Sequence, residues 1–254
     1  MFDDLEYISV VNQSTSFPKH FHNTFCLSLI SSGIEKMEFD GFDFYSESGS
    51  ISITNPFEVH ANPIVDKDII TSFATIYISE DLMKFYANGN IIFHNRKIQD
   101  YDVTKQFLAL IQALKTRDQK IIQEILKLFI FTIKPYSSHK QTGYASLNFA
   151  EFDYLEEHIE HHILEKFDLD ELSRITRFNK YGLIKKFKLF TGMSPMNYIV
   201  MRKIFSSKSY IDPHTNLTDL AYQYNFTDLA HFSKTFKQYV GIAPKTYQKR
   251  KFEK

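Results

Sequence analysis

The stretch Asn225–Tyr247, NFTDLAHFSKTFKQYVGIAPKTY, repeats an earlier one, Phe178–Tyr198, FNKYGLIKKFKLFTGMSPMNY. A shift of 49 residues lays Lys185 on Lys234, Phe187 on Phe236, Lys188 on Lys237, Gly192 on Gly241, Pro195 on Pro244 and Tyr198 on Tyr247. Upstream, Leu172 and Phe178 match Leu220 and Phe226 at a shift of 48, so the second copy has one extra residue in its turn. Each copy reads as a short helix, a tight turn and a longer helix closed by glycine, which is the outline of a helix-turn-helix. A chain that carries this text twice is bound to a helical C-terminal region.

The second helix of each copy sorts its residues by face. Leu183, Phe187 and Phe190 in one, and Phe232, Phe236 and Tyr239 in the other, recur at core-facing spacing. Lys185, Lys186 and Lys188, and Lys234 and Lys237, project elsewhere. A basic helix of this kind can enter the major groove and neutralise phosphates. A solvated lysine face on a helical bundle is the alternative. The charge distribution favours DNA. Residues 1–170 hold 14 Lys and Arg against 25 Asp and Glu, net −11, while residues 171–254 hold 16 against 5, net +11. A zero overall charge therefore conceals a basic third of the chain, which calls for a nucleic-acid or acidic partner.

The first eighty residues read differently. FCLSLI, KMEFDGFDFY, GSISIT and SFATIYIS are short apolar or alternating runs, punctuated by Gly33, Gly41, Gly49 and Pro56. Evenly spaced short strands with turn signals predict a barrel or sandwich. After Ser79 the period becomes helical, first in SEDLMKFY and then in VTKQFLALIQALKT and DQKIIQEILKLFIFTI, which form an antiparallel hairpin. Residues 135–146 are polar and aperiodic and are expected to be the linker between an N-terminal domain, 1–134, and a C-terminal domain, 147–254. In the latter, Phe149, Phe152, Leu155 and Ile159 form an apolar stripe, Asp168 or Asp170 caps a helix, and Ser194–Pro195 opens a long one. Cys26 is the only cysteine, the N-terminus lacks a basic leader, and no apolar run is long enough to span a bilayer. These features predict a cytoplasmic protein without a membrane partner.

The C-terminal text, roughly Leu147–Lys251, resembles the DNA-binding domain of the AraC (arabinose-operon regulator) family. Asn225 departs from the family pattern, which has Gly there, and Gly182 is an unusual guest in the first recognition helix. The resemblance implies two helix-turn-helix units joined by a long helix near Pro195–Tyr210, reading successive major grooves about 34 Å apart. It also implies base-facing positions at Tyr181, Ile184 and Lys185 in the first unit, and at Leu229, Ala230, His231 and Lys234 in the second. Lys185 and Lys234 suit guanine or phosphate; Lys188, Lys237, Asn179 and Thr227 suit phosphate contact or helix capping.

The N-terminal half resembles the sensory cupin-like barrel of the same family, through Pro18, His20, His22, Gly33, Gly41, Gly49, Asn55-Pro56 and His60. The resemblance implies an α+β protein of two domains: a cupin-like β-barrel with a helical hairpin, then an all-α domain with two helix-turn-helix units. It implies a regulator that binds double-stranded DNA, senses a small molecule and forms a homodimer. The expected effector residues are His20, His22, Phe25, Phe39 and His60. Phe21, Phe25, Phe39, Phe42, Phe44 and Tyr45 furnish either a mainly apolar pocket or plain core. His20 and His22 share a strand face, and His60 lies where metal-binding cupins place a third histidine. With Cys26 in the position of the usual carboxylate, the set reads either as a metal-free pocket, with no cofactor, or as the metal site of a cupin enzyme.

Overall fold

The structure, a computed structural model, describes residues 5–139 and 152–252. Phe149 and most of the expected linker lie outside the described residues. The chain divides into two compact units, one of Met1–Ser16 with Phe21–Tyr144, the other of Phe17–His20 with Ala145–Lys254.

The N-terminal region contains strands β1 (Leu5–Val10), β2 (Phe17–His20), β3 (Thr24–Ser32), β4 (Ile34–Glu38), β5 (Asp43–Glu47), β6 (Ile51–Thr54), β7 (His60–Asn62) and β8 (Ser72–Ser79). Helix α1 (Glu80–Ala87), strands β9 (Ile91–Ile92) and β10 (Lys97–Ile98), helices α2 (Tyr101–Thr116) and α3 (Gln119–Ile133), and strand β11 (Ser138–His139) follow. Within the first unit the strands form a five-stranded sheet, β1-β8-β3-β6-β10, a smaller sheet, β7-β4-β5, and a β11-β9 pair, while β2 belongs to the second unit. The expected barrel is thus built as separate sheets, and among the described residues their ladders do not close into one ring.

Register gives the large sheet two unlike faces. Leu27 lies opposite Ile53 and Ile76, and Phe25 opposite Ile78. This apolar face packs on the hairpin through Phe107, Leu110, Leu126, Phe129 and Ile130. Each such side chain contributes about 1.5–3 kcal/mol on burial. The hairpin is closed as its sequence predicts: Asp118 caps α3 and Arg117 takes the left-handed conformation between the helices. On the opposite face, Cys26 lies between Thr54 and Tyr77, and Ser28 between Ser52 and Thr75. This face meets the small sheet through hydrogen bonds. Glu35 on β4 accepts from Ser52 Oγ at 2.6 Å and from Asn62 Nδ2 at 3.0 Å. Burial outweighs both bonds and raises the Glu35 carboxyl to about 7.

The C-terminal unit is helical. It runs α4 (Asp153–His161), α5 (Leu169–Thr176), α6 (Lys180–Thr191), α7 (Pro195–Ser209), α8 (Leu217–Gln223), α9 (Leu229–Val240) and α10 (Pro244–Phe252). The repeat is visible as packing. Phe187 meets Tyr198 edge-on at 5.4 Å, and their counterparts Phe236 and Tyr247 meet at 5.7 Å. Gly192 and Gly241 end α6 and α9 in left-handed conformations, donating to the Lys188 and Lys237 carbonyls. The turn between paired helices also repeats: Arg177 and Asn225, one shift of 48 apart, have φ of 57° and 62°. Asn225 therefore fills the glycine position of the family with the backbone that position needs.

Two outcomes follow. A carboxyl with a raised folded-state value makes the folded chain the better proton binder. Its stabilising contribution is complete below about 4.5 and is lost as pH rises through about 7. Thermal melts from about pH 5 to pH 8 should lose roughly 3 kcal/mol of stability, and Glu35→Gln should flatten that slope. An unchanged slope in the variant would place the titration elsewhere. At the exposed Arg177, glycine should be neutral or stabilising by up to about 1 kcal/mol, and valine should cost about 1–2 kcal/mol in denaturant unfolding. Equal stability of the arginine and valine forms would contradict the left-handed turn.

Candidate nucleic-acid interface and effector site

Helix α6 begins at Asn179, whose side chain accepts from Gly182 N at 2.8 Å. A Cβ at Gly182 would come within 3.3 Å of Asn179 Oδ1, a tight approach, although Glu171, Asn197 and His231 donate to the same kind of cap with a Cβ in place. Leu183 and Phe187 are buried, which turns Tyr181, Lys185 and Lys188 to solvent and leaves Ile184 half-buried. Lys186 lies 4.2 Å from the Phe178 ring and is held to the flank of the helix. Leu189 is 78% exposed, as is Tyr181. Its place on this face was open to helical spacing, since it falls outside the stripe of Leu183, Phe187 and Phe190.

Helix α9 presents Leu229, Ala230, His231, Lys234 and Lys237 on its exposed side, while Phe232, Phe236 and Tyr239 are buried. Its cap differs from expectation. Asp228, not Thr227, accepts from His231 N, at 2.7 Å. Thr227 Oγ1 instead contacts His231 Nδ1 at 3.0 Å. Both residues suit an N-cap, and the extended backbone at Asp228 decides between them. Asp168 and Ser194 cap α5 and α7.

Helix α7 is the spine of the unit, burying Tyr198, Ile199, Met201, Lys203 and Ile204. Tyr198 donates to Glu156 at 2.7 Å and Arg202 to Glu160 at 2.7 Å, which tie α7 to α4. Lys203 Nζ donates to the carbonyls of Glu165 at 2.6 Å and Tyr224 at 3.1 Å, the latter at the end of α8. Burial lowers Lys203 to about 8. These bonds tie α7 to α4, to the segment that follows α4 and to the end of α8.

In the N-terminal region the expected effector residues divide. Within the first unit the His22 and His60 rings lie 5.6 Å apart, while His20 belongs to the second unit, where its ring lies 6.3 Å from that of Tyr239. His60 Nδ1 bonds to the Glu58 carbonyl at 2.8 Å, and burial lowers the ring to about 4, so it is neutral. Cys26 does not join His22 and His60; its thiol lies 3.7 Å from Thr24 O. Phe39 stacks on Phe42 at 4.7 Å and lies 5.9 Å from His60. Phe25 is on the other face of β3, within the hairpin core and 5.9 Å from Phe93. It is a packing residue, because neighbours on a strand point to opposite sides.

The expectation of a mainly apolar lining also needs correction. The face toward the small sheet carries Ser28, Ser52, Thr54 and Thr75 as well as Glu35 and Asn62. Arg96, just before β10, pairs with Glu58, and its guanidinium carbon lies 6.0 Å from the Phe39 ring. Burial lowers the Arg96 guanidinium against the opposing pull of Glu58. Sequence reading overlooked these groups. Their one visible signal is the apolar–polar alternation in CLSLI and ISIT, which does not tell a solvent face from a second sheet.

Comparison with known proteins agrees with this division. The AraC-like ligand binding domain pattern matches residues 4–130, and a helix-turn-helix domain pattern matches residues 172–250. The HTH-type transcriptional regulator YbfI of Bacillus subtilis is 24% identical over 223 residues, covering 85% of this chain and 81% of its own. The structure of ToxT from Vibrio cholerae O395 superposes with a TM-score of 0.58 at 17% identity, covering 96% of this chain and 97% of that one. A ToxT structure with bound unsaturated fatty acid gives 0.57 at 16% identity, covering 97% and 95%. The ligand-binding pattern spans half of the chain and the helix-turn-helix pattern covers its basic segment, so the protein belongs to the AraC-type family of DNA-binding transcription regulators with an N-terminal ligand-binding domain.

Proposed function

We propose that the protein binds promoter DNA through α6 and α9 in successive major grooves, as a homodimer acting in the cytoplasm without catalysis, under control of a small molecule held by its N-terminal domain. Residues 1–134 form the sensing and dimerising domain, 135–146 the linker, and 147–254 the DNA-binding domain. The observation that carries this reading is the pair of exposed faces on the repeated helices, backed by the same Phe–Tyr contact and glycine cap. Tyr181, Ile184 and Lys185, and Leu229, Ala230, His231 and Lys234, face the bases. Lys188 and Lys237, nearer the helix ends, face phosphate. Leu229 and Ala230 offer apolar contact, which suits a thymine methyl. For dimerisation, Leu108 on α2 and Ile121, Leu128 and Phe131 on α3 are exposed, with Phe131 at 74%. No described helix is long and apolar enough to cross a membrane.

DNase footprinting on sites recovered by genome-wide mapping tests the DNA contacts. Lys185→Ala and Lys234→Ala should each weaken specific binding, by about 1–3 kcal/mol where the lysine reads a base. A phosphate contact would lower affinity equally on all sequences and reduce the salt slope by about 1. Unchanged binding in both variants would remove α6 and α9 as the reading helices. Sedimentation equilibrium tests the dimer: Phe131→Glu should shift the protein toward monomer. A wild-type monomer, or an unaffected dimer in the variant, would discard the α2–α3 face as the interface.

A further inference from the structure

The inner face of the large sheet carries more hydrogen-bond donors than the protein satisfies. Glu35, Ser52 and Asn62 answer one another, as do Ser28 and Thr75. Thr54 Oγ1 and the Nε and Nη1 groups of Arg96 are buried and have no hydrogen-bond partner among the described residues. An unmet buried polar group costs about 1–3 kcal/mol, and more when charged. The two residues lie on adjoining segments. The Arg96 carbonyl accepts from Ile53 N at 2.9 Å, which sets its backbone beside the end of β6. Asn55, next to Thr54, donates its N–H at 2.8 Å to Oε2 of Glu58, whose Oε1 pairs with Arg96.

Both oxygens of the Glu58 carboxylate are thus engaged, and His60 nearby is neutral. What this end of the sheet lacks is an acceptor of negative charge. The remainder of the face bears hydroxyls and an amide whose bonds to one another leave hydroxyl lone pairs over, and an alkyl chain laid along it would leave those acceptor sites unanswered. Hydroxyls on a ligand would answer them. The Phe39–Phe42 stack beside Arg96 gives a flat apolar flank for a carbon skeleton.

We propose that the ligand of the N-terminal domain is a small hydroxylated carboxylate, such as a sugar acid or hydroxy acid, whose carboxylate accepts from Arg96 and Thr54. This rests on the reading that the domain controls DNA binding through a bound small molecule. It assigns this chain a ligand chemistry unlike the fatty acid bound in the ToxT structure.

The test uses the full chain, with melting shifts and calorimetry at millimolar concentrations of D-glucuronate, D-gluconate and tartrate, the neutral analogues D-glucose and glycerol, and oleate. At least one hydroxylated carboxylate should bind and raise the melting temperature, and the neutral compounds and oleate should not. Arg96→Gln should weaken that binding at least tenfold and Thr54→Val severalfold. Should Arg96→Gln fail to fold, judged by circular dichroism, Thr54→Val decides, and unchanged affinity there overturns the assignment. Binding only by oleate or the neutral compounds, or by none of the panel, also overturns it. Footprints recorded in parallel separate the two ideas: carboxylate binding without DNA binding sinks the regulator mechanism and supports this assignment.

Discussion

Two-residue alternation along β3, β6 and β8 governs what the N-terminal domain can be. Leu27, Ile53 and Ile76 lie opposite one another on one face, and Ser28, Ser52 and Thr75 on the next rung of the other. A slip of one residue in any of these pairings would push serine into the hairpin core and isoleucine against Glu35. Both errors cost several kcal/mol, so the register is strongly specified. The apolar side stabilises the fold by seating α2 and α3. That frees the opposite side to be polar, which a small two-layer domain cannot otherwise tolerate. The binding chemistry of the domain thus depends on the hairpin that lies behind it.

The C-terminal unit meets a different constraint. Its recognition helices are short, with 12 residues each, and such helices are marginal alone. Each is therefore clamped at both ends, by a capping side chain at its start and a left-handed glycine at its close. Between them α7 is buried nearly all round and tied by Tyr198, Arg202 and Lys203. Lys203 reaches two backbone carbonyls from the interior, where an apolar residue of the same length would leave both unanswered. The helix that separates the two repeats is in this way held from several sides at once.

The helical half was the more legible in the sequence. Apolar spacing, Asn179, Ser194 and the two glycines are local signals whose physics acts within one turn, and the repeat supplied an internal check. Thr227 misled because two adjacent residues could each cap α9, and only the backbone conformation separates them. The sheets were less legible. Phe25 and Cys26 are neighbours in sequence but belong to opposite faces, and proximity to histidines was not a guide to which one lines a site. Glu35 gave no warning, since a charged residue in a strand reads the same whether it meets water or another sheet, and Arg96 lies just before β10, outside any strand, where a charged residue is ordinary. Of the three histidines, His22 and His60 come together within the first unit although nearly forty residues apart, and His20 falls in the other unit.

The two recognition faces are built alike but written differently. One offers Tyr181, Ile184, Lys185 and Leu189; the other offers Leu229, Ala230, His231 and Lys234. Because each unit has its own Phe–Tyr pair and glycine cap, its outer face is free to diverge without disturbing its partner. If both faces read DNA as proposed, a single chain takes two unlike half-sites in a fixed order. A site read in that way has a head and a tail, so the bound protein has a heading, and reversing the site reverses that heading.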